Sequence, residues 1–240
     1  MMGLSLSRRI RMALILLFAL GFILFLPMRI ALGMAGLERL GVAAREVQGT
    51  VWSGGIDRLM LGTTSLGSVH AGLSPVSLLV GRARLDIWRR NGAADDVAGA
   101  LTVGLGRIGI DDMTGAVPLG RTFAPLPVNS FVMEDVSAWF SGDRCGHAEG
   151  RVRAQMAGQF PGLNLSQGLS GVVSCDGDAL LLPLVSQSGL EKVNLRIWRS
   201  GRYVAEMRVE TADTTLGDAL AKAGFVEGGG VRVLKVEGTL

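Results

Sequence analysis

Histidine and cysteine are scarce in this sequence, with two of each among 240 residues. No G-x-S-x-G motif accompanies His70 or His147 to provide a serine nucleophile. A zinc site needs clustered ligands, and the one close pair is Cys145-Gly-His147, with Cys175 as a third candidate. We therefore predict that the protein is not an enzyme and has no catalytic residues, metal or cofactor. A histidine-dependent hydrolase and a zinc site are kept as alternatives.

Charged and aromatic residues are also few, at 19% and 5% of the chain. The formal net charge is +3, and three basic residues, Arg8, Arg9 and Arg11, directly precede an apolar segment. The other arginines are scattered, so we predict no nucleic-acid partner. Hydrophobic residues reach 48%, which argues against disorder. The 35 glycines favour a fold with many turns and bulges.

An apolar segment without charge runs from Met12 to Met28. With its neighbours it approaches the ~20 residues that cross a bilayer. The arginines before it outnumber those directly after it, which predicts a cytoplasmic N-terminus. The predicted alternatives are a cleaved signal peptide, with a partial cleavage site at Ala31-Leu-Gly33, and a buried core helix.

The predicted organisation follows from this topology. It comprises a cytoplasmic N-terminus at residues 1–9, a transmembrane helix at 10–30, a connecting helix at 31–41 and a periplasmic β-domain at 42–240. The orientation puts both cysteines on the oxidising side of the membrane, where thiols ordinarily pair. We therefore expect a disulfide between Cys145 and Cys175, closing a loop of about thirty residues and contributing about 3–4 kcal/mol.

After residue 42 the sequence consists of short alternating segments separated by glycine. One of them, Ala83–Trp88, is followed by Asn91-Gly92, a strong hairpin signal. About a dozen such segments without a βαβ rhythm predict a mostly β fold with antiparallel pairing. The acidic pair Asp111-Asp112 is expected in a solvated turn between two of them.

Two short helices are predicted within this β region. Residues 74–81 begin with a serine and a proline and end at glycine, and residues 213–224 begin with a capping aspartate. The pattern L-D-I-W-R at 85–89 resembles L-R-I-W-R at 195–199, which suggests two related halves. Trp52, Trp88 and Trp198 end alternating segments, where they either pack in the core or line an apolar groove or partner surface.

Two segments carry a family resemblance. G-T-V-W-S-G at 49–54 and L-S-P-V-S-L-L-V-G at 73–81 resemble the type II secretion system protein N family, and the resemblance extends over roughly residues 5–240. The motif residues, which we expect to serve packing, are Gly49, Trp52, Gly54, Pro75, Leu78, Leu79 and Gly81.

The resemblance implies an accessory inner-membrane component of the type II secretion system with a periplasmic β-domain. Its expected role is non-catalytic assembly, with other secretion-system components and the lipid bilayer as partners. The chain also looks distantly similar to AsmA-like envelope proteins, whose sheets curl around an apolar groove. That likeness, together with glycines that permit curvature, leads us to predict one or more curled sheets. It also implies the alternative function of lipid binding or lipid transfer.

Overall fold

The computed structural model describes residues 8–30, 42–43, 46–61, 64–89, 96–104, 106–120, 122–156, 165 and 167–240. The predicted connecting helix at 31–41 and the Asn91-Gly92 turn lie outside the described residues. The helices are α1 (Arg8–Leu24), α2 (Pro75–Leu79) and α3 (Thr214–Lys222). The short helices α2 and α3 confirm the two predicted within the β region.

The strands are more numerous than predicted. They are β1 (Val42–Ala43), β2 (Glu46–Thr50), β3 (Ser53–Leu61), β4 (Thr64–Leu73), β5 (Ala83–Arg89), β6 (Val97–Gly104), β7 (Arg107–Pro118), β8 (Val128–Ser141), β9 (Arg144–Met156), β10 (Leu169–Val172), β11 (Ser174–Asp176), β12 (Ala179–Ser186), β13 (Glu191–Ile197), β14 (Arg202–Glu210), β15 (Val226–Gly228) and β16 (Val231–Thr239).

These strands form one 16-stranded sheet whose order nearly repeats the order of the chain. The path is β1-β3-β4-β5-β6-β7-β8-β9-β10-β12-β13-β14-β16-β15, while β2 pairs with β3 and β11 with β12. Every pairing is antiparallel. The prediction of a mostly β, antiparallel fold is therefore confirmed.

The prediction of a curled sheet is wrong, because the sheet is neither curled nor closed. Its glycines serve local approaches of the backbone rather than curvature of the whole. Gly150, for example, has a φ of +101° beside a register shift between β8 and β9. A Cβ at this position would lie 2.3 Å from the carbonyl oxygen of Asp135, so only glycine fits there.

The main hydrophobic core covers the C-terminal two thirds of the sheet. Inward residues of β12, β13 and β14 alternate with outward ones along each strand, as a sheet with one buried face requires. Helix α3 closes this core with Leu216 and Leu220. The side chain of Asp213 caps the helix by accepting hydrogen bonds from the backbone N–H groups of residues 215 and 216.

Helix α1 precedes the sheet and has 17 residues. Among the residues that the structure describes, no helix is long and apolar enough to cross a membrane. The predicted transmembrane helix at 10–30 therefore corresponds to a shorter helix followed by an irregular segment at 25–27.

Candidate functional site

The first family motif forms the junction between α1 and the sheet. Val51 and Trp52 make the tight turn between β2 and β3. The Val51 N–H donates to the carbonyl oxygen of Leu26 over 2.9 Å. The Trp52 indole Nε1–H donates to the carbonyl oxygen of Ile23 over 3.0 Å, near the end of α1. The turn therefore forms hydrogen bonds with backbone carbonyls at the C-terminal end of α1 and just beyond it.

The two glycines of this motif face each other across the hairpin, as Gly49 pairs with Gly54. A Cβ at Gly54 would lie 2.3 Å from the Met28 sulfur atom and 2.7 Å from the carbonyl oxygen of Gln48. Gly49 has a φ of +87°, and a Cβ there would lie 2.6 Å from the carbonyl oxygen of Ser53. Both positions thus require glycine, one for the approach of Met28 and the other for its backbone conformation.

Met28 anchors a second, smaller hydrophobic cluster. Its side chain is 1% exposed and packs with Ile56, Val69 and Ala71 from β3 and β4. Leu73, at the end of β4, also donates its N–H to the carbonyl oxygen of Val51 over 2.8 Å. The segment after α1, the β2–β3 turn and the end of β4 are therefore held together as one unit, which we call the junction.

The second family motif forms α2, the connection between β4 and β5. Pro75 stands in the first turn and Gly81 ends the segment with a φ of +74°. The connection is fixed by hydrogen bonds from the Ser74 N–H to the carbonyl oxygen of Arg84 and from the Arg82 N–H to that of Ser77. Its apolar side chains are nonetheless exposed: Val76 71%, Leu78 40%, Leu79 87% and Val80 64%.

The three tryptophans singled out from the sequence are not brought together. Trp52 belongs to the junction, Trp88 stacks on His70 at the other end of β5, and Trp198 lies under the guanidinium of Arg202, 3.9 Å from its ring centre. Trp88 is on β5, whereas Trp198 directly follows β13, the eighth strand after β5 along the chain. They do not line one groove, and each has its own partner.

Cys145 and Cys175 form a disulfide with a Cα–Cα distance of 5.5 Å. It links the start of β9 to β11. Cys175 is the middle residue of β11, the short strand that follows β10 in the chain. The bridge therefore fixes β11 beside β9.

A charge cluster that the sequence did not reveal surrounds Arg84 on β5. Its guanidinium contacts Asp86 and Asp111 at 2.9 Å and Asp112 at 3.7 Å. The hydrogen bond with Asp86 and the charges of all three carboxylates raise the pKa of Arg84, against the opposing effect of burial. The prediction that Asp111-Asp112 forms a turn is wrong, because both residues lie inside β7, where Asp112 occupies a bulge. The cluster therefore joins β5 to β7 across β6.

The histidines do not form a catalytic arrangement with each other, since His70 is on β4 and His147 on β9. His147 stacks on Trp139 with ring centres 4.1 Å apart, and its Nε2 lies 3.3 Å from a Glu149 carboxylate oxygen. No group of three or more metal-binding side chains occurs among the described residues.

The fold and its junction define a class: a mostly β protein with one antiparallel sheet attached behind an apolar N-terminal helix. Residues 40–235 match the family type II secretion system (T2SS), protein N. The match covers more than half of the chain, and the chain belongs to this family. No curated protein and no solved structure matched in the other two comparisons.

Proposed function

We propose that this chain is a non-catalytic accessory component of the type II secretion system, held at the inner membrane with its sheet in the periplasm. The observation that carries the proposal is the family match over residues 40–235. In this role the sheet serves as a surface for assembly with other components of the secretion system.

Attachment to the membrane is supported by the surroundings of α1. The apolar side chains of this helix are exposed on all sides, among them Leu17, Phe18 and Phe22. A helix that is apolar all round needs an apolar environment, and the sheet forms hydrogen bonds with the C-terminal end of α1 and the residues just after it.

The orientation is supported by charge and by redox chemistry. Arg8, Arg9 and Arg11 stand at the start of α1, and cytoplasmic flanks are rich in such residues. The Cys145–Cys175 disulfide agrees with an oxidising compartment such as the periplasm. A periplasmic sheet and a cytoplasmic N-terminus satisfy both observations.

The alternative of a lipid-transfer protein depended on a curled sheet around an apolar groove. Because the sheet is not curled, no specific observation favours this alternative, and we do not propose it.

The secretory role is tested by deleting the gene and measuring secreted proteins in the culture medium. We expect secretion-system substrates to accumulate in the periplasm and to return to the medium when the wild-type chain is supplied. Affinity purification of the full chain in mild detergent should recover other secretion-system components. Normal secretion together with no such component in the purified material would rule the role out.

The topology is tested separately with alkaline phosphatase fused after residue 240. Membranes washed with carbonate should retain the full chain, and the fusion should be active because the enzyme folds only in an oxidising compartment. An inactive fusion would contradict the periplasmic position, and release by carbonate would contradict the membrane attachment.

A further inference from the structure

The topology brings α2 close to the end of α1. Because successive strands are antiparallel, alternate connections lie at the same end of the sheet. The β2–β3 turn, the α2 connection and the β6–β7 turn all lie at one end, which is also the end where α1 meets the junction. Adjacent strands are about 4.8 Å apart, so α2 lies within roughly 10 Å of the junction, measured across the sheet.

An exposed apolar surface covers this corner of the molecule. We call it the α2 patch, and its members are Val76, Leu79, Val80, Val103 and Ile108. Val103 and Ile108 are register partners on β6 and β7, and Val103 also pairs with Ala83 directly after α2. The patch is therefore continuous from the helix onto the first strands of the sheet.

We propose that the α2 patch lies in the interface of the same membrane that holds α1, with its apolar side chains among the acyl chains. The inference rests on the proposed attachment through α1. A lipid surface fits better than a protein partner because the patch adjoins the exit of α1, whose own apolar side chains require the same environment. Adjacent strands are rotated by about 20–25° relative to each other. Connections further along the sheet therefore turn away from the plane of the membrane, and the contact is confined to the corner beside the junction.

The test uses the full chain in nanodiscs of phosphatidylcholine and phosphatidylglycerol, with the photoreactive residue p-benzoylphenylalanine at single positions. Position 79 probes the patch. Position 226 is the matched control, because Val226 is also a strongly exposed apolar residue and lies on β15, at the opposite edge of the sheet. Position 18, on α1, reports on the helix alone. A non-reducing gel that shows the intact Cys145–Cys175 disulfide verifies folding of each variant.

We expect lipid adducts at positions 79 and 18 and none above background at 226. Absence of a lipid adduct at 79, or crosslinking of 79 to a second copy or another protein in place of lipid, overturns the inference. The adduct at position 18 separates the two proposals. If it forms and the one at 79 does not, α1 is in the membrane and only the patch inference fails; if neither forms, the attachment through α1 fails as well.

Discussion

At the scale of single residues, Gly54 packs against Met28, in the segment after α1. Replacing Gly54 by alanine introduces a Cβ 2.3 Å from the Met28 sulfur atom and 2.7 Å from a backbone oxygen. The methionine can move, but the strand cannot, so we expect a loss of about 1–3 kcal/mol in the free energy of unfolding. Amide exchange at Val51 should become faster, because its hydrogen bond to Leu26 weakens.

The matched control for this prediction is the neighbouring glycine. A Cβ at Gly55 would have its nearest neighbour, the His70 Nδ1, at 4.0 Å. The G55A variant should therefore change stability by less than about 0.5 kcal/mol. Equal effects of G54A and G55A on amide exchange at Val51 would mean that the packing of Met28 does not require the absence of a side chain at position 54.

Tyr203, the one tyrosine of the chain, provides a prediction about pH. Its buried hydroxyl donates to the carbonyl oxygen of Thr122 over 2.5 Å, and burial raises the pKa of this phenol above its ordinary value of 10.0. The neutral form is thus favoured in the folded chain. Its contribution to stability is present below pH 10 and is lost as pH rises through the folded pKa.

We expect Y203F to be less stable than the wild type by about 1 kcal/mol at neutral pH, since one hydrogen bond is lost. The difference should shrink as the wild-type phenol ionises at alkaline pH. Thermal unfolding of both chains at about pH 7 and about pH 11 measures this. A constant difference across the range would contradict a raised pKa of Tyr203 in the folded chain.

At the scale of elements, the disulfide holds β11 beside β9. The bridge spans 30 positions in the sequence, and the loop-entropy relation gives such a link about 3–4 kcal/mol. We expect C145S/C175S to unfold at a lower temperature and to be insensitive to a reducing agent, whereas reduction should lower the unfolding temperature of the wild type to that of the variant. A wild-type chain that unfolds identically with and without reductant would contradict this role.

Much of the secondary structure followed from local pattern. The alternation at 83–88 and the repeated tryptophan pattern gave β5 and β13, and the capping aspartate gave α3, because these signals act within a few residues. The Asp111-Asp112 pair was misread for the opposite reason. Two adjacent acidic residues are typical of a turn when only the local sequence is considered. Arg84, from another strand, compensates their charge inside β7.

The junction could not be predicted either. The motif at 49–54 identified the right residues, but nothing in it names Met28 or Ile23 as their partners. Those contacts join segments more than twenty positions apart, and their geometry depends on how the chain leaves α1. The same holds for the disulfide's neighbours, since topology rather than spacing sets β11 against β9.

At the scale of the whole molecule, the two hydrophobic clusters differ greatly in size. The main cluster contains most of the fully buried side chains, including Leu184, Leu195 and Met207, whereas the junction cluster centres on Met28. Local opening is easiest where few apolar contacts must break. We therefore expect amide exchange, followed by mass spectrometry, to be slowest for peptides from β12 to β14 and faster for peptides from β3 to β5.

This comparison also needs a control for hydrogen bonding alone. Strand pairing runs through both regions, but β3–β4 contains register shifts and β4–β5 pairs over four residues only. The comparison is therefore made between amides at regularly paired positions, where a difference in protection reflects packing. Equal protection of both regions would show that the sheet opens as a single unit.

The near-identity of strand order and chain order has a consequence for how the molecule is made. A chain that emerges N-terminus first, whether from a ribosome or through a membrane pore, finds the pairing partner of almost every new strand already in place. The sheet can lengthen from one edge, hairpin by hairpin, without waiting for a distant segment. Among the described strands, β2 and β11 lie beside the main path, and β15 and β16 exchange order at its end. Each of these departures involves strands close together in the chain, so the growing edge remains a simple template during synthesis.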